Sequence, residues 1–176
     1  LALDIPGIGF KTADVLAQRL GIPRDAIIRA QAGVRHVLQE FADDGHCAVH
    51  EAELIDTAAT LLDIPVSTIV EAIDLERQEE NLIAEAIAGK PSLFLTPLYR
   101  AEVSVTSSLM RLLEGELPWG RMDPARVIPW VEHQTGRVLS PSQRGAVAQV
   151  LTNKVTVLTG GPGVGKTTIV TSILHV

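Results

Sequence analysis

The chain has 176 residues, of which 46% are hydrophobic, with one cysteine, two Trp, one Tyr, three Phe and a formal net charge of −6. This composition excludes a disordered chain, a disulfide-stapled secreted domain and a membrane span, and it predicts an aliphatic, mostly helical core in a reducing, cytoplasmic compartment. The acidic residues are concentrated in the middle of the chain. Residues 37–90 have a formal net charge of −11, while residues 1–36 and 91–176 have net charges of +2 and +3. The middle is therefore interpreted as a solvated acidic helical face, with a partner-binding surface as the alternative, and the two basic ends stay compatible with phosphate.

The first pattern in the chain is "IPGIGFKTA", in which Gly7 and Gly9 flank the apolar Ile8. Two glycines around one apolar residue permit a tight turn before a helix, and the free N–H groups of that turn form a nest of phosphate size. Lys11 and Thr12 fall in the first helical turn and can add contacts. The pattern favours a helix-hairpin-helix that contacts the DNA backbone and not its bases, and the alternative is an ordinary tight turn between helices.

Helices and one hairpin follow in chain order. Apolar spacing predicts helices over 10–20, over 24–43, over 51–63 and from Pro65 onward. The pattern then changes to the short runs "NLIAEAI" and "SLFLTPLY", separated by "AGKPS", which predict a two-stranded hairpin. Another helix is predicted over 98–114. Helices followed by a hairpin indicate a winged-helix-like arrangement across about 36–96.

The C-terminal third begins with "GELPWGRMDP", which contains two Gly and two Pro in ten residues and is typical of a linker. A helix is predicted over 124–135 and another over 139–151, the latter with Ser140 as N-cap, Pro141 at the first position and Gln143 in a capping box. The β-branched run "KVTVLT" at 154–159 predicts a short strand.

We therefore divide the chain into four parts. They are a helix-hairpin-helix segment at 1–35, a helical, winged-helix-like region at 36–114, a linker at 115–123 and the beginning of an ATP-binding motor domain at 124–176. The predicted fold class is mostly α with a small β component, followed by the start of a P-loop α/β domain of the RecA-like kind.

A phosphate-binding loop follows the predicted strand directly. Its residues fit G-x-x-x-x-G-K-[ST] in full and are Gly160, Gly161, Pro162, Gly163, Val164, Gly165, Lys166 and Thr167, with Thr168 after them. The glycines let the backbone wrap closely around a phosphate chain, and the new helix adds its positive end. Lys166 is expected to reach the terminal phosphates of ATP, and the Thr167 hydroxyl is expected to ligate Mg²⁺.

Gln143 lies 17 residues before Gly160 and has two explanations. The spacing from Ser140 favours a capping role, while the amide can also pair with adenine because it donates and accepts side by side. Hydrolysis also needs a second acidic residue that holds Mg²⁺ and a group that positions water. The segment "EAIDLER" at 71–77 contains acidic residues, but it precedes the loop and is predicted to be helical, so we do not expect it to ligate Mg²⁺. We therefore expect this chain to contact nucleotide phosphates without hydrolysing ATP.

Two weaker signals have structural interpretations. "HCAVH" at 46–50 offers His46, Cys47 and His50, but three residues in one short stretch are poor support for a metal site, and a strand edge is the preferred interpretation. Trp119 and Trp130 are of a type that stacks on bases, yet each is interpreted as a core or linker anchor.

In combination, "PGIG-KTA", the winged-helix-like middle, "LSPSQRGAV" and "VTVLTGGPGVGKTT" resemble the RecD-like DNA helicases of superfamily 1. This is the exodeoxyribonuclease V alpha-subunit group, in its long form with an N-terminal helix-hairpin-helix extension. The resemblance covers nearly the whole chain. It implies that Gln143 contacts adenine and that the loop belongs to the first helicase motif.

The resemblance also implies a function. The parent protein is expected to be an ATP-dependent DNA helicase that moves 5′ to 3′ on single-stranded DNA in recombination or repair, with protein partners and no membrane. The later helicase motifs are absent from this sequence, so we expect its end at Val176 to be a cut within a longer protein. The alternatives are the motor of a conjugative relaxase and an interaction module that binds nucleotide without hydrolysis.

Overall fold

The computed structural model describes residues 9–175, so Gly7 and Ile8 of the predicted hairpin lie outside the described residues. The chain divides into two compact units, Leu1–Ser104 and Val105–Val176. In the first unit the helices are α1 (Phe10–Arg19), α2 (Ile27–Asp43), α3 (Glu51–Leu62) and α4 (Val66–Gln78). Each helix predicted from apolar spacing is present, and its ends differ by a few residues from the predicted ones.

A three-stranded antiparallel sheet completes the first unit. Its strands are β1 (Val49–His50), β2 (Leu82–Ile87) and β3 (Lys90–Leu95), in the spatial order β1-β3-β2. The predicted hairpin is β2–β3, and its turn residues Ala88 and Gly89 have φ angles of 51° and 79°. Two positive φ angles in a two-residue turn match the right-handed twist of the strands.

The core of the first unit lies between α2, α3, α4 and the sheet. The fully buried aliphatic side chains come from all of these elements and include Ala30, Val34, Leu54, Ile69, Ile73, Leu82 and Leu93. The chain order of helix, strand, two helices and two strands, around one core, is the winged-helix-like arrangement that the sequence predicts. The mostly helical fold class with a small β component is thereby confirmed.

Helix α5 (Thr96–Leu113) begins at the end of β3 and crosses from one unit into the other at Ser104. Its first residue is fixed to the hairpin, since the Thr96 hydroxyl donates to the Glu80 carbonyl at 2.6 Å. No helix among residues 9–175 is long and apolar enough to cross a membrane. The predicted divisions at 35, 114 and 123 stay predictions, and α2 runs without interruption across the first of them.

The second unit contains α6 (Pro124–Thr135), α7 (Pro141–Thr152) and α8 (Lys166–Leu174). These helices enclose a smaller core, of which Leu139, Val147, Leu151 and Ile169 are the buried members. Residues next to α6 cap both of its ends. The Asp123 side chain accepts from the Ala125 N–H at the start, and Gly136 ends the helix with a φ of 64°.

The predicted linker is anchored to the second unit. The Trp119 indole N–H donates to the carbonyl of Leu151 at 3.2 Å, and the Lys154 ammonium donates to the carbonyl of Glu114. Both acceptors belong to the last turn of a helix or the residue after it, where carbonyls have no partner within the helix. Trp119 therefore acts as a linker anchor, as its sequence position suggests.

One predicted element is not formed. Residues 154–159 form no strand, with a bend at Lys154, and the side chain of Val157 is 81% exposed. A strand needs a neighbour that accepts its backbone hydrogen bonds, and the described residues of the second unit contain no other strand. The prediction of a strand at 154–159 was wrong, because strand pairing is a tertiary property that a local β-branched pattern does not determine.

Candidate functional site

The phosphate-binding loop enters α8 through glycines whose conformations require glycine. Gly163 and Gly165 have φ angles of 77° and 87°, in the left-handed region, and Gly165 is the N-cap of α8. Space is restricted as well, since a Cβ on Gly165 would overlap Nε2 of Gln143, and a Cβ on Gly160 would lie 2.8 Å from Val164 Cγ2. The loop is therefore a close-packed backbone turn that presents N–H groups at a helix start.

Lys166 is the first residue of α8, and its side chain lies over the loop. Its ammonium donates to the carbonyls of Gly160 and Gly161 at 2.6 and 2.7 Å. The Lys ammonium is a compact charge on a flexible stem, so it can exchange these carbonyls for phosphate oxygens while the stem stays in place. The charge is thus already held at the loop that the phosphates would enter.

Gln143 combines a capping role with a contact to the loop. Its Oε1 accepts from the Ser140 N–H at 2.9 Å, and its own N–H donates to Ser140 Oγ at 3.3 Å, which completes the predicted capping box. Its Nε2 lies 3.5 Å from the carbonyl oxygen of Val164. The amide oxygen keeps a second lone pair, so capping and an adenine contact are chemically compatible.

A cleft of about 450 Å³ borders α8 on the side of the end of α6. Thr167, Thr168 and Thr171 line it from α8, and Gln134 and Arg137 line it from the other side. No pattern in the sequence marks Gln134 or Arg137 as a candidate site residue. The one local indication for Arg137 is its position directly after Gly136, the residue that ends α6. Its place opposite the threonines of α8 depends on the packing of α6 against α8, which no local pattern encodes.

These residues fit a nucleotide that brings its own magnesium ion. The loop offers backbone N–H groups, one ammonium and the Thr167 hydroxyl, which is a single oxygen ligand for Mg²⁺. Among residues 9–175 no cluster of three His, Cys, Asp or Glu side chains is placed to hold a metal. A divalent ion at this loop would therefore take its remaining ligands from phosphate oxygens and water.

The described part of the DNA-contact hairpin is the start of α1. Gly9 is the N-cap, and Lys11 and Thr12 are exposed in the first turn, which contains no acidic residue. Gly9 has an ordinary φ of −71°, and a Cβ there would meet nothing within 4 Å. Neither backbone conformation nor packing within the described residues therefore requires glycine at this position.

Helix α1 is tied to the rest of the first unit by a buried ion pair. Arg29 of α2 donates through Nε and Nη2 to the two carboxylate oxygens of Asp14, at 2.5 and 2.9 Å. The hydrogen bonds and the charge of Arg29 hold the pKa of the Asp14 carboxyl below its usual value. The carboxylate is thus charged and fully engaged at neutral pH.

The acidic middle of the chain coincides with the α3–α4 pair. In helix-turn-helix proteins the second helix of such a pair lies in the major groove of DNA. Here the exposed side of α4 carries Glu71 and Asp74, and Arg77 lies 3.4 Å from Asp74. This surface has a net negative charge and would repel DNA phosphates. A DNA contact is therefore better supported at the start of α1 than at α4.

The remaining weak signals have structural roles. "HCAVH" leads into β1, where the Nδ1 of His50 shares a hydrogen bond with Ser92 Oγ at 2.9 Å, which matches the strand-edge interpretation. Cys47 is exposed, and its Sγ lies 3.1 Å from Glu102 Oε1. Trp130 is 48% exposed on α6, so it is not a core residue, and its interpretation as an anchor stays a prediction.

Comparisons with known proteins match both ends of the chain. The family described as the ATP-dependent RecD2 DNA helicase HHH domain matches residues 1–48, and an AAA domain matches residues 143–176. The ATP-dependent RecD2 DNA helicase of Deinococcus radiodurans is 32% identical over 179 aligned positions, which cover 94% of this chain. The chain is RecD-like. Its resemblance to the RecD-like DNA helicases is therefore confirmed.

Other relatives of the RecD-like chain match a shorter part of it. The RecBCD enzyme subunit RecD of two Mycobacterium tuberculosis strains, CDC 1551 and H37Rv, is 42% identical over 82 positions, or 47% of this chain. The chain spans 24% of the length of the Deinococcus relative and 13% of the length of each mycobacterial one. The name of the Deinococcus relative describes a DNA helicase, and the mycobacterial name describes a subunit of a larger enzyme. The activity of the whole protein to which this chain belongs is a matter of proposal.

Proposed function

We propose that this chain is the part of an ATP-dependent DNA helicase that grips the DNA backbone and holds the phosphates of ATP. The parent protein unwinds DNA with 5′ to 3′ movement in recombination or repair, as the resemblance to RecD-like helicases implies. Gln143, Gly160, Gly161, Pro162, Gly163, Val164, Gly165, Lys166, Thr167 and Thr168 form the nucleotide contacts. Mg²⁺ enters with ATP and is ligated by Thr167.

The nucleotide part of the proposal is supported most directly by the loop geometry. Two left-handed glycines turn the backbone into α8, and the Lys166 ammonium is held at the loop by two carbonyls. The amide of Gln143 lies beside the same loop, next to the carbonyl of Val164. A phosphate, a divalent ion and an adenine edge therefore each have a chemically suitable partner in one small region.

The DNA part of the proposal is supported by Gly9 and its surroundings. Gly7, Ile8, Gly9, Lys11 and Thr12 are the proposed contacts, of which the last three are described. Gly9 is exposed, and no contact among residues 9–175 requires glycine there. A glycine at such a position allows another backbone to approach closely. With Lys11 and the positive end of α1 beside it, that second backbone is a nucleic-acid phosphate chain.

The nucleotide proposal is tested by ATP hydrolysis of the longer parent protein, with and without single-stranded DNA. Lys166→Ala is expected to lower DNA-stimulated turnover by about 100-fold or more, since one charged stabiliser of the transferred phosphoryl group is lost. Lys90→Ala, which removes an exposed lysine of the β2–β3 turn, is the matched control and keeps turnover. Unchanged turnover in Lys166→Ala refutes the site assignment, and bound ATP without any turnover in the parent favours an interaction module.

The DNA proposal is tested by fluorescence anisotropy of this chain with labelled single-stranded and duplex DNA. Lys11→Ala is expected to weaken binding to all sequences and to lower the slope of log K against log salt by about 1. Gly9→Ala is expected to weaken binding while it costs at most about 1 kcal/mol of stability, the usual difference between N-cap residues. Binding that neither substitution changes would show that the hairpin is an ordinary turn.

A further inference from the structure

Arg29 is buried, with 7% of its surface exposed, although Arg is seldom buried without complete pairing. Its guanidinium makes hydrogen bonds to three separate segments. Nε and Nη2 donate to Asp14 of α1, and Nη1 donates to the carbonyl of Leu62 at 3.0 Å and to that of Arg24 at 2.5 Å. One side chain of α2 therefore joins α1, the loop that follows it and the end of α3.

Each of the three acceptors has a physical need for this donor. Leu62 is the last residue of α3, and its carbonyl has no partner within the helix. The Arg24 carbonyl belongs to the loop between α1 and α2. The Asp14 carboxylate is mostly buried and requires a counter-charge, which a planar bidentate guanidinium supplies better than an ammonium.

Apolar packing gives α1 little additional support. Ala13 is the only residue of α1 that is buried, and Phe10 stacks on His36 with ring centroids 4.4 Å apart. The outer side of α1 is exposed, including 50% of Val15 and 40% of Leu16. Within residues 9–175, the orientation of α1 thus depends on the Asp14–Arg29 pair more than on a hydrophobic interface.

We propose that Arg29 and Asp14 are positioning residues for DNA binding, because they fix the start of α1 on the winged-helix-like unit. This inference rests on the proposed DNA contact of Gly9, Lys11 and Thr12. Asp14 lies one helical turn from Lys11, so Arg29 also neutralises the acid nearest to the phosphate-facing turn. A force on the DNA backbone is transmitted through this pair to α2 and the core.

The test compares Arg29→Lys with the matched core variant Ile73→Val in the whole chain. Lysine keeps the charge but lacks the planar fork, so it cannot serve all three acceptors. Ile73 is buried in α4, and its substitution destabilises the same unit without contact to α1. The two measurements are DNA affinity by anisotropy and amide hydrogen exchange of residues 10–19 against residues 27–78.

Arg29→Lys is expected to raise exchange in α1 and to weaken DNA binding by about tenfold or more, while Ile73→Val leaves DNA affinity unchanged. Equal effects of both variants on DNA affinity would overturn the proposal, since they would reflect stability alone. Asp14→Asn, which loses the charge and keeps the shape, gives the same comparison if Arg29→Lys does not fold. If Lys11→Ala weakens DNA binding and neither pair variant does, the inference fails while the proposed function stands. If the unaltered chain binds no DNA, both fail.

Discussion

Two helical glycines provide a matched pair for testing how α2 packs on α3. Alanine in a helix interior is about 1 kcal/mol more favourable than glycine. At Gly145 in α7 a Cβ would meet nothing within 4 Å, so Gly145→Ala is expected to gain this amount in full. At Gly33 in α2 a Cβ would lie 2.5 Å from Leu62 Cδ1 and 3.0 Å from Cδ2 and Cγ.

The overlap at Gly33 has no easy relief. The Leu62 side chain is 2% exposed, and its carbonyl is held by Arg29. Forcing an extra methyl group into such a core costs about 1–3 kcal/mol, which equals or exceeds the helical gain. Gly33→Ala is therefore expected to lose up to about 2 kcal/mol, and each kcal/mol corresponds to about 4–8 °C in Tm for a unit of this size.

The assay is thermal unfolding of both variants followed by helical circular dichroism. Hydrogen exchange assigns the change to α2 or α7, because the two glycines belong to different units. We expect Tm to fall for Gly33→Ala and to rise for Gly145→Ala. A rise of similar size in both would refute the close packing of Leu62 against α2.

Three further substitutions have defined outcomes. Glu76 is fully buried, and burial raises the pKa of its carboxyl against the opposing effects of Arg35, at 3.5 Å, and Asn81, with the charge of Glu79 raising it further. The stability that the protonated carboxyl contributes is lost as pH rises through the folded-state pKa, so in urea unfolding Glu76→Gln should stabilise the fold more at pH 7 than at pH 4. Ser140→Ala removes the capping box with Gln143 and should cost about 1 kcal/mol, seen as faster exchange in the first turn of α7. Gly165→Ala adds about 1–2 kcal/mol of backbone strain in the left-handed region and brings the new Cβ into overlap with the Gln143 side chain. It should therefore weaken binding of a fluorescent ATP analogue. Unchanged binding would contradict the loop geometry.

The features that the sequence predicted correctly are governed by neighbours along the chain. The capping box of Ser140 and Gln143 and the start of α6 after Asp123 each depend on contacts within a few residues. Backbone conformation and hydrogen bonding at these positions are local, so residue type and spacing are sufficient. The eight helices of the described region were found for the same reason. The hairpin was predicted, but its second strand begins at Lys90, inside the predicted connection "AGKPS", and ends at Leu95 instead of Tyr99.

The features that the sequence analysis missed depend on distant partners. Arg29 and Asp14 are 15 residues apart, and Arg29 reaches Leu62 across 33 residues. In an amphipathic helix such as α2, which also contains Arg35, Glu40 and Asp43, the pattern predicts a solvated side chain for Arg29. Only the tertiary contacts show that it is buried. The cleft beside α8 and the unpaired state of residues 154–159 have the same origin, since both are set by which elements are neighbours in space.

The unpaired segment 154–159 has a consequence for handling the protein. Its β-branched residues Val155, Thr156 and Val157 favour extended backbone, and Val157 is exposed. A segment of high β-propensity that has no strand partner of its own can pair with a second chain. Self-association through this segment is therefore expected to grow with protein concentration, and a lysine in place of Val157 would act as a gatekeeper that keeps the chain monomeric.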